Sequence, residues 1–171
     1  MRVRKLALVA FAALVASSGS AFALDVNKHI AAPAQLLVIW STISEFCSIK
    51  DWHPAIADCK ESKEGNDTIR VLTVKDNGGT IKEKLTDSDD TSYSYQIVDP
   101  GPLPVKNYSA KLWVEPDDRD PSRTVIHWDA TFDANGKSDE EAMKAIGDIF
   151  MAGLKNIKQK TMPPEGSVGG D

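Results

Sequence analysis

Apolar residues recur along the chain in two rhythms, and the rhythm changes near the C-terminus. From residue 69 to residue 132 they alternate with polar ones over short runs, the period of half-buried strands. Ile69 to Lys75 and Thr80 to Leu85 flank Asp76-Asn77-Gly78-Gly79, a hairpin turn. Ser92 to Val98, Val105 to Val114 and Thr124 to Phe132 read as further strands. Asp87 to Asp90 is a turn, Asp99 to Pro104 a rigid loop, and Glu115 to Ser122 a polar separator. Upstream, Leu24 to Ile30 fits a first strand. Ala31-Ala32-Pro33 then opens a helix carried by Leu36, Leu37, Trp40, Ile43 and Phe46. Cys47 to Asp51 interrupts that spacing, and Trp52-His53-Pro54 reads as a short helix or turn ending near Ile56. The final element is the clearest. Ser138 and Glu141 form a capping box, and Met143, Ile146, Phe150, Leu154 and Ile157 make one apolar stripe. Lys155, Lys158 and Lys160 complement the helix dipole, and Pro163-Pro164 ends the helix.

This order predicts an α+β fold in which a curved antiparallel sheet of about seven strands wraps a long C-terminal helix. A single sheet must cover its apolar face, and one long helix does so. A cavity between the two layers is the expected consequence.

Strand alternation says which side chains face that cavity. With Asn77-Gly78 central in the turn, Val74 stands opposite Ile81, and Leu72 opposite Glu83. Arg70, Leu72, Val74, Ile81, Glu83 and Leu85 then share the concave face, with Arg70 and Glu83 near enough diagonally to pair. Tyr93, Tyr95 and Ile97 point the same way, as do Tyr108, Ala110, Leu112 and Val114, and Ile126, Trp128, Ala130 and Phe132. His127 and Asp129 point outward. The candidate ligand-binding residues are therefore Trp52, His53, Arg70, Glu83, Tyr93, Tyr95, Tyr108, Trp128 and Phe150. Aromatic walls with a few phenol, guanidinium and carboxylate groups suit a small organic ligand.

Composition narrows the partners. The 171 residues hold 20 Lys plus Arg against 25 Asp plus Glu, a net charge of −5. That balance excludes nucleic acid, which needs a basic face. Arg2, Arg4 and Lys5 precede the apolar run Leu6 to Val15, and Ala21-Phe22-Ala23 supplies an A-x-A site, so residues 1–23 read as a cleaved signal peptide. The run is too short for a stable membrane anchor. Removing those three cations takes the net charge to −8. The expected organisation is a signal peptide at 1–23, one domain at 24–162 and a disordered tail at 163–171, with the mature chain in the periplasm. An oxidising compartment favours a Cys47–Cys59 disulfide; two buried thiols or a redox pair are the alternatives.

Established catalytic and cofactor motifs are missing from the sequence, so neither a cofactor nor a metal is expected. The acidic runs Asp87 to Asp90 and Glu115 to Asp118 lack calcium-loop spacing and read as solvated turns. His53, with Asp51 nearby, is the one histidine placed near a cavity entrance, as a packed turn residue before a general acid or base.

Several stretches resemble one family. Asp51-Trp52-His53-Pro54-Ala55-Ile56, Arg70 to Val74, Gly78-Gly79-Thr80 with Glu83, Tyr93-Ser94-Tyr95, Gly101 to Val105, Trp128 and Gly153-Leu154 look like the polyketide cyclase/dehydrase-like branch of the START/Bet v 1 (SRPBCC) superfamily. The resemblance implies a helix-grip fold with a hydrophobic cavity under the long helix. With export, it is similar to the small periplasmic accessory proteins of bacterial methanol oxidation. That likeness implies a non-enzymatic role, with methanol dehydrogenase and its cytochrome c acceptor as partners. The alternatives are a periplasmic carrier of a small hydrophobic ligand and a cyclase-like enzyme using Arg70, Glu83 or His53.

Overall fold

The computed structural model describes residues 23–76 and 78–163. The expected signal peptide up to Phe22, the turn residue Asn77 and the tail after Pro163 lie outside the described residues.

Seven strands form one antiparallel sheet: β1 (Leu24–Ala32), β2 (Ile56–Glu64), β3 (Asp67–Val74), β4 (Thr80–Ser88), β5 (Ser92–Asp99), β6 (Val105–Asp117) and β7 (Asp120–Ala134). Their spatial order is β1-β7-β6-β5-β4-β3-β2. Two short helices, α1 (Leu36–Ile43) and α2 (Ile49–Trp52), link β1 to β2 across the sheet's open ends, and α3 (Asp139–Thr161) closes the chain. The α3 helix lies mainly on β1 and β7 and touches both short helices. The expected helix-grip architecture is therefore present.

Several local expectations are corrected. Pro33 does not open α1: β1 runs on to Ala32, and the helix starts at Leu36 after Gln35. The buried face of α1 is Ile39 and Ile43, whereas Leu37 is 75% exposed. Both Leu37 and Ile39 fit helical spacing with Ile43 or its neighbours, and packing against the sheet selects the second. In α3 the small Ala142 is buried in place of Met143, which is exposed. The polar stretch 115–122 is no separator but the extended end of the β6–β7 hairpin, whose strands continue past the core into solvent. The sequence reading also passed over β2. Only Ile56 and Cys59 are buried in it, and its charged outer half, Lys60 to Glu64, protects an exposed sheet edge.

The β3–β4 register differs from expectation by two residues. Arg70 stands directly opposite Glu83, and Leu72 opposite Ile81. The strands stop at Val74 and Thr80, leaving a five-residue connection because Lys75 N–H turns away to the Ala55 carbonyl at 2.9 Å. A shift of two preserves the face of every side chain, so the concave set survives.

Three anchors hold the upper layer. Cys47 and Cys59 form a disulfide with a Cα–Cα separation of 5.5 Å, tying the α1–α2 corner to β2. A loop of this size contributes about 3 kcal/mol in the chain-entropy model. Ser138 and Glu141 form the expected capping box at the start of α3. Asn156 Nδ2 donates to the Trp52 carbonyl at 2.7 Å, fastening α3 to α2.

Gly153 sets how closely α3 approaches. A Cβ there would stand 2.8 Å from both His53 Cδ2 and Trp128 Cζ3, and 3.2 Å from Trp52 Cζ3. At Gly147 the nearest atom, at 3.1 Å, is the flexible Cε of Lys28. Alanine gains about 1 kcal/mol of helix propensity at either position, but overpacking three aromatic rings costs roughly 1–3 kcal/mol. Gly153→Ala is expected to lower the unfolding free energy and Gly147→Ala to leave it equal or higher, as measured by chemical denaturation. Equal effects at the two sites would contradict this packing account.

Candidate functional site

A chamber of about 90 Å³ lies between α3 and the concave face of the sheet. Ile146, Ile149 and Phe150 of α3 close one side; Leu72, Val74, Ile81 and Ile97 form the sheet wall. Ala55 and Ile56 after α2, with Pro102 and Leu103 of the β5–β6 loop, complete it. Gly101 brings that loop in. Its φ is +52°, and a Cβ would fall 1.9 Å from the Thr80 carbonyl oxygen, so glycine alone permits the approach.

Of the nine candidate residues, His53, Glu83, Tyr95, Tyr108, Trp128 and Phe150 border the chamber. Trp52, Arg70 and Tyr93 do not. They are buried behind its wall. Strand parity placed Arg70 and Tyr93 on the correct face, but position along the strand puts them at the α1 end. The sequence reading did not nominate Ile49, Ile146, Ile149, Pro102 or Leu103 as wall residues. Ile146 was legible in the α3 stripe, and Ile149 flanks it by one helical step.

The polar end of the chamber is an ion pair. Arg70 Nε donates to Glu83 Oε2 at 2.5 Å, with side-chain exposures of 0% and 6%. Arg70 Nη1 donates to the Phe46 carbonyl, and the guanidinium carbon lies 3.9 Å from the Phe46 ring centre. Burial opposes the guanidinium charge, yet the Glu83 carboxylate beside it holds its pKa above the ordinary value. Burial pushes the Glu83 carboxyl up, and Arg70 pulls it partly back. Glu83 faces the chamber while Arg70 stands behind it.

Tyrosines and tryptophan continue this surface. Trp128 Nε1 donates to the Tyr95 hydroxyl at 3.0 Å, and the Trp128 ring stacks on Phe150 with centres 4.3 Å apart. Burial raises the pKa of Tyr93, Tyr95 and Tyr108, so all three phenols stay neutral.

Both ring nitrogens of His53 have backbone partners. Its Nδ1 accepts from Ala55 N–H at 3.2 Å, and its Nε2 meets the Ile149 carbonyl at 3.1 Å. That pair of partners fits one neutral tautomer, with the proton on Nε2. Desolvation lowers its pKa to about 4, against the weaker raising effect of the Ile149 carbonyl. His53 thus orients the α2–β2 link against α3 and presents its ring to the chamber.

His127 and Asp129 face outward as expected. His127 stacks on Trp113 with centres 3.8 Å apart, and Trp113 Nε1 donates to Asp129 Oδ2 at 2.7 Å. Among the described residues no cluster of three His, Cys, Asp or Glu side chains could hold a metal, and no helix is long and apolar enough to cross a membrane.

Residues 21–161 match the family model described as polyketide cyclase / dehydrase and lipid transport. The chain is similar to the solved structure of the protein XoxI from Bacillus cereus, at 29% identity over 80% of this chain and 94% of that one, with a TM-score of 0.73. It is similar to an uncharacterized protein from Bacillus thuringiensis at 28% identity, covering 81% of this chain and 98% of that one, with a TM-score of 0.73. The Zhui aromatase/cyclase from Streptomyces sp. R1128 shares the fold at 15% identity over 88% of this chain and 100% of that one, with a TM-score of 0.68. No curated protein matches the chain.

The His53 arrangement sets a pH dependence. A histidine free at pKa 6.5 unfolded and held near 4 when folded gives stability present above pH 6.5 and lost as pH falls toward 4. Between pH 7 and pH 5 this contributes a loss of about 2 kcal/mol. Denaturation of wild type and His53→Gln at both pH values should show that extra loss in wild type alone. Glu83 titrates with the opposite sign but is common to both proteins. Identical pH slopes would contradict the assignment of His53.

Proposed function

The chain belongs to the polyketide cyclase / dehydrase and lipid transport family, and on that footing we propose that it is a non-enzymatic carrier of a small hydrophobic molecule, held between α3 and the sheet. The observation that carries this reading is the chamber itself: a largely apolar space of about 90 Å³ between α3 and the sheet, with the Glu83 carboxylate at its border. Well-packed interiors rarely leave such space without a use.

Its size limits the guest. An engineered apolar cavity of about 150 Å³ holds benzene, so a chamber of about 90 Å³ takes a short chain as it stands and a single small ring only where its walls give slightly. A larger guest requires the Pro102–Leu103 loop to move away from α3. Binding is favoured over catalysis because the histidine at the site has both ring nitrogens committed to backbone partners. A periplasmic setting is supported by the signal-like segment at residues 1–23 and by the Cys47–Cys59 disulfide.

A second, narrower reading adds a protein partner. The excess of 25 acidic over 20 basic residues favours docking on a basic surface, as expected of an accessory protein like MxaD acting between methanol dehydrogenase and cytochrome c. Salt-sensitive capture of either protein from periplasmic extract at low ionic strength supports this role, and its absence removes it.

For the carrier reading, millimolar toluene should shift the methyl NMR resonances of Ile146 and Leu72 and raise Tm. Ile97→Trp, which fills the chamber from the sheet side, should abolish both effects in a folded protein. Toluene shifts confined to surface methyl groups, or unchanged by Ile97→Trp, would remove the carrier reading.

A further inference from the structure

The chamber's polar end does more than interrupt an apolar wall, because its hydrogen-bonding capacity is asymmetric. Glu83 Oε2 is occupied by Arg70 Nε, and Glu83 makes no other side-chain hydrogen bond among the described residues. Its second oxygen therefore remains an acceptor, on a residue that borders the chamber. The Tyr95 hydroxyl accepts from Trp128 Nε1 and is hydrogen-bonded by Tyr108 as well, so with its acceptor sites occupied it meets a guest as a donor. A carboxylate acceptor and a phenol donor thus border one small apolar space.

The charge at this end is already balanced. The guanidinium faces Glu83 at 2.5 Å, with the Phe46 carbonyl and ring on its other side. Arg70 does not border the chamber, so it offers no cation to an incoming anion. The nearest charge that an anionic guest meets is the Glu83 carboxylate, and the largely apolar walls do little to screen the repulsion. An apolar guest leaves the Glu83 oxygen without a partner, whereas a hydroxyl both donates to Glu83 and accepts from Tyr95.

Resting on the carrier reading, we propose that the chamber selects a neutral, hydroxyl-bearing ligand of about one ring, a phenol or small alcohol, and rejects carboxylates. Glu83 is the specificity-determining residue. Arg70 is a positioning residue that keeps the carboxylate ionised and aimed.

Three one-ring probes separate the possibilities in the wild-type protein: phenol, toluene and benzoate, each titrated by NMR at pH 7. Phenol is expected to bind on the order of tenfold tighter than toluene, and benzoate at least about tenfold weaker than phenol. Toluene equal to or tighter than phenol overturns the selection while leaving the carrier reading intact. Benzoate as tight as phenol also overturns it, and points to the Arg70 Nη2 donor, which has no partner among the described residues, as an anion site. No binding of any probe ends both readings. The Glu83→Gln variant reverses the electrostatics, leaving Arg70 as an unpaired buried cation. In it, the phenol preference over toluene should shrink severalfold, and benzoate should gain at least about tenfold relative to phenol. Unchanged ratios in folded Glu83→Gln contradict the role of Glu83, and the wild-type comparison stands whether or not that variant folds.

Discussion

A guanidinium and a carboxylate face each other across β3 and β4 with almost no access to water. Taking two ions out of solvent costs several kcal/mol each, and their attraction repays this only with good geometry and further hydrogen bonds. Arg70 supplies both by reaching the Phe46 carbonyl and lying over the Phe46 ring. The same contacts pin the α1–α2 corner to the sheet, next to the disulfide at Cys47. The pair therefore links two layers of the fold and fixes a carboxylate at the end of an apolar space. Removing either partner alone strands a buried charge, at a cost of roughly 3–5 kcal/mol.

Around this pair the structure spends aromatic surface to exclude water. Trp52, Trp128, Phe150 and His53 pack edge-to-face or stacked within ring-centre distances of 4.3 to 5.9 Å. Gly153 permits that closeness by giving up its side chain. The result is a closely packed aromatic wall on the α3 side, while Gly101 lets the β5–β6 loop close the opposite side by backbone approach. Each device positions a wall of the chamber. The histidine at the site has both ring nitrogens engaged by backbone partners, and the one carboxylate that borders the chamber is paired with Arg70.

Much of this was legible in the sequence, and the exceptions have physical causes. The α3 helix was plain because a capping box and a long stripe agree. The concave face was recoverable because side-chain direction depends on parity, and the β3–β4 register differed by an even number. Strand β2 was illegible: an edge strand buries little, so Lys60 to Glu64 show no hydrophobic rhythm. Arg70 and Tyr93 share the concave face but lie away from the chamber, because parity gives a face and not a depth along it, and Trp52 of α2 packs behind the same wall. Which aromatic residues line space and which fill it is decided by the crossing of α3 over the sheet, a tertiary fact that no local pattern encodes. Sequence spacing places His53 in a turn near a chamber entrance. Its two backbone partners, one of them 96 positions away, were beyond sequence reasoning.

The account depends on Glu83 carrying its charge at neutral pH despite burial, because a protonated carboxyl would be a donor and would leave Arg70 without a counter-ion. Isotope-edited infrared or carbon NMR spectroscopy of the Glu83 carboxyl, followed against pH and assigned with Glu83→Gln, measures this directly. The expected result is a carboxylate at pH 7 that becomes protonated at a pH above the ordinary glutamate value, the direction in which burial pushes it. A protonated carboxyl at pH 7 would contradict the central claim.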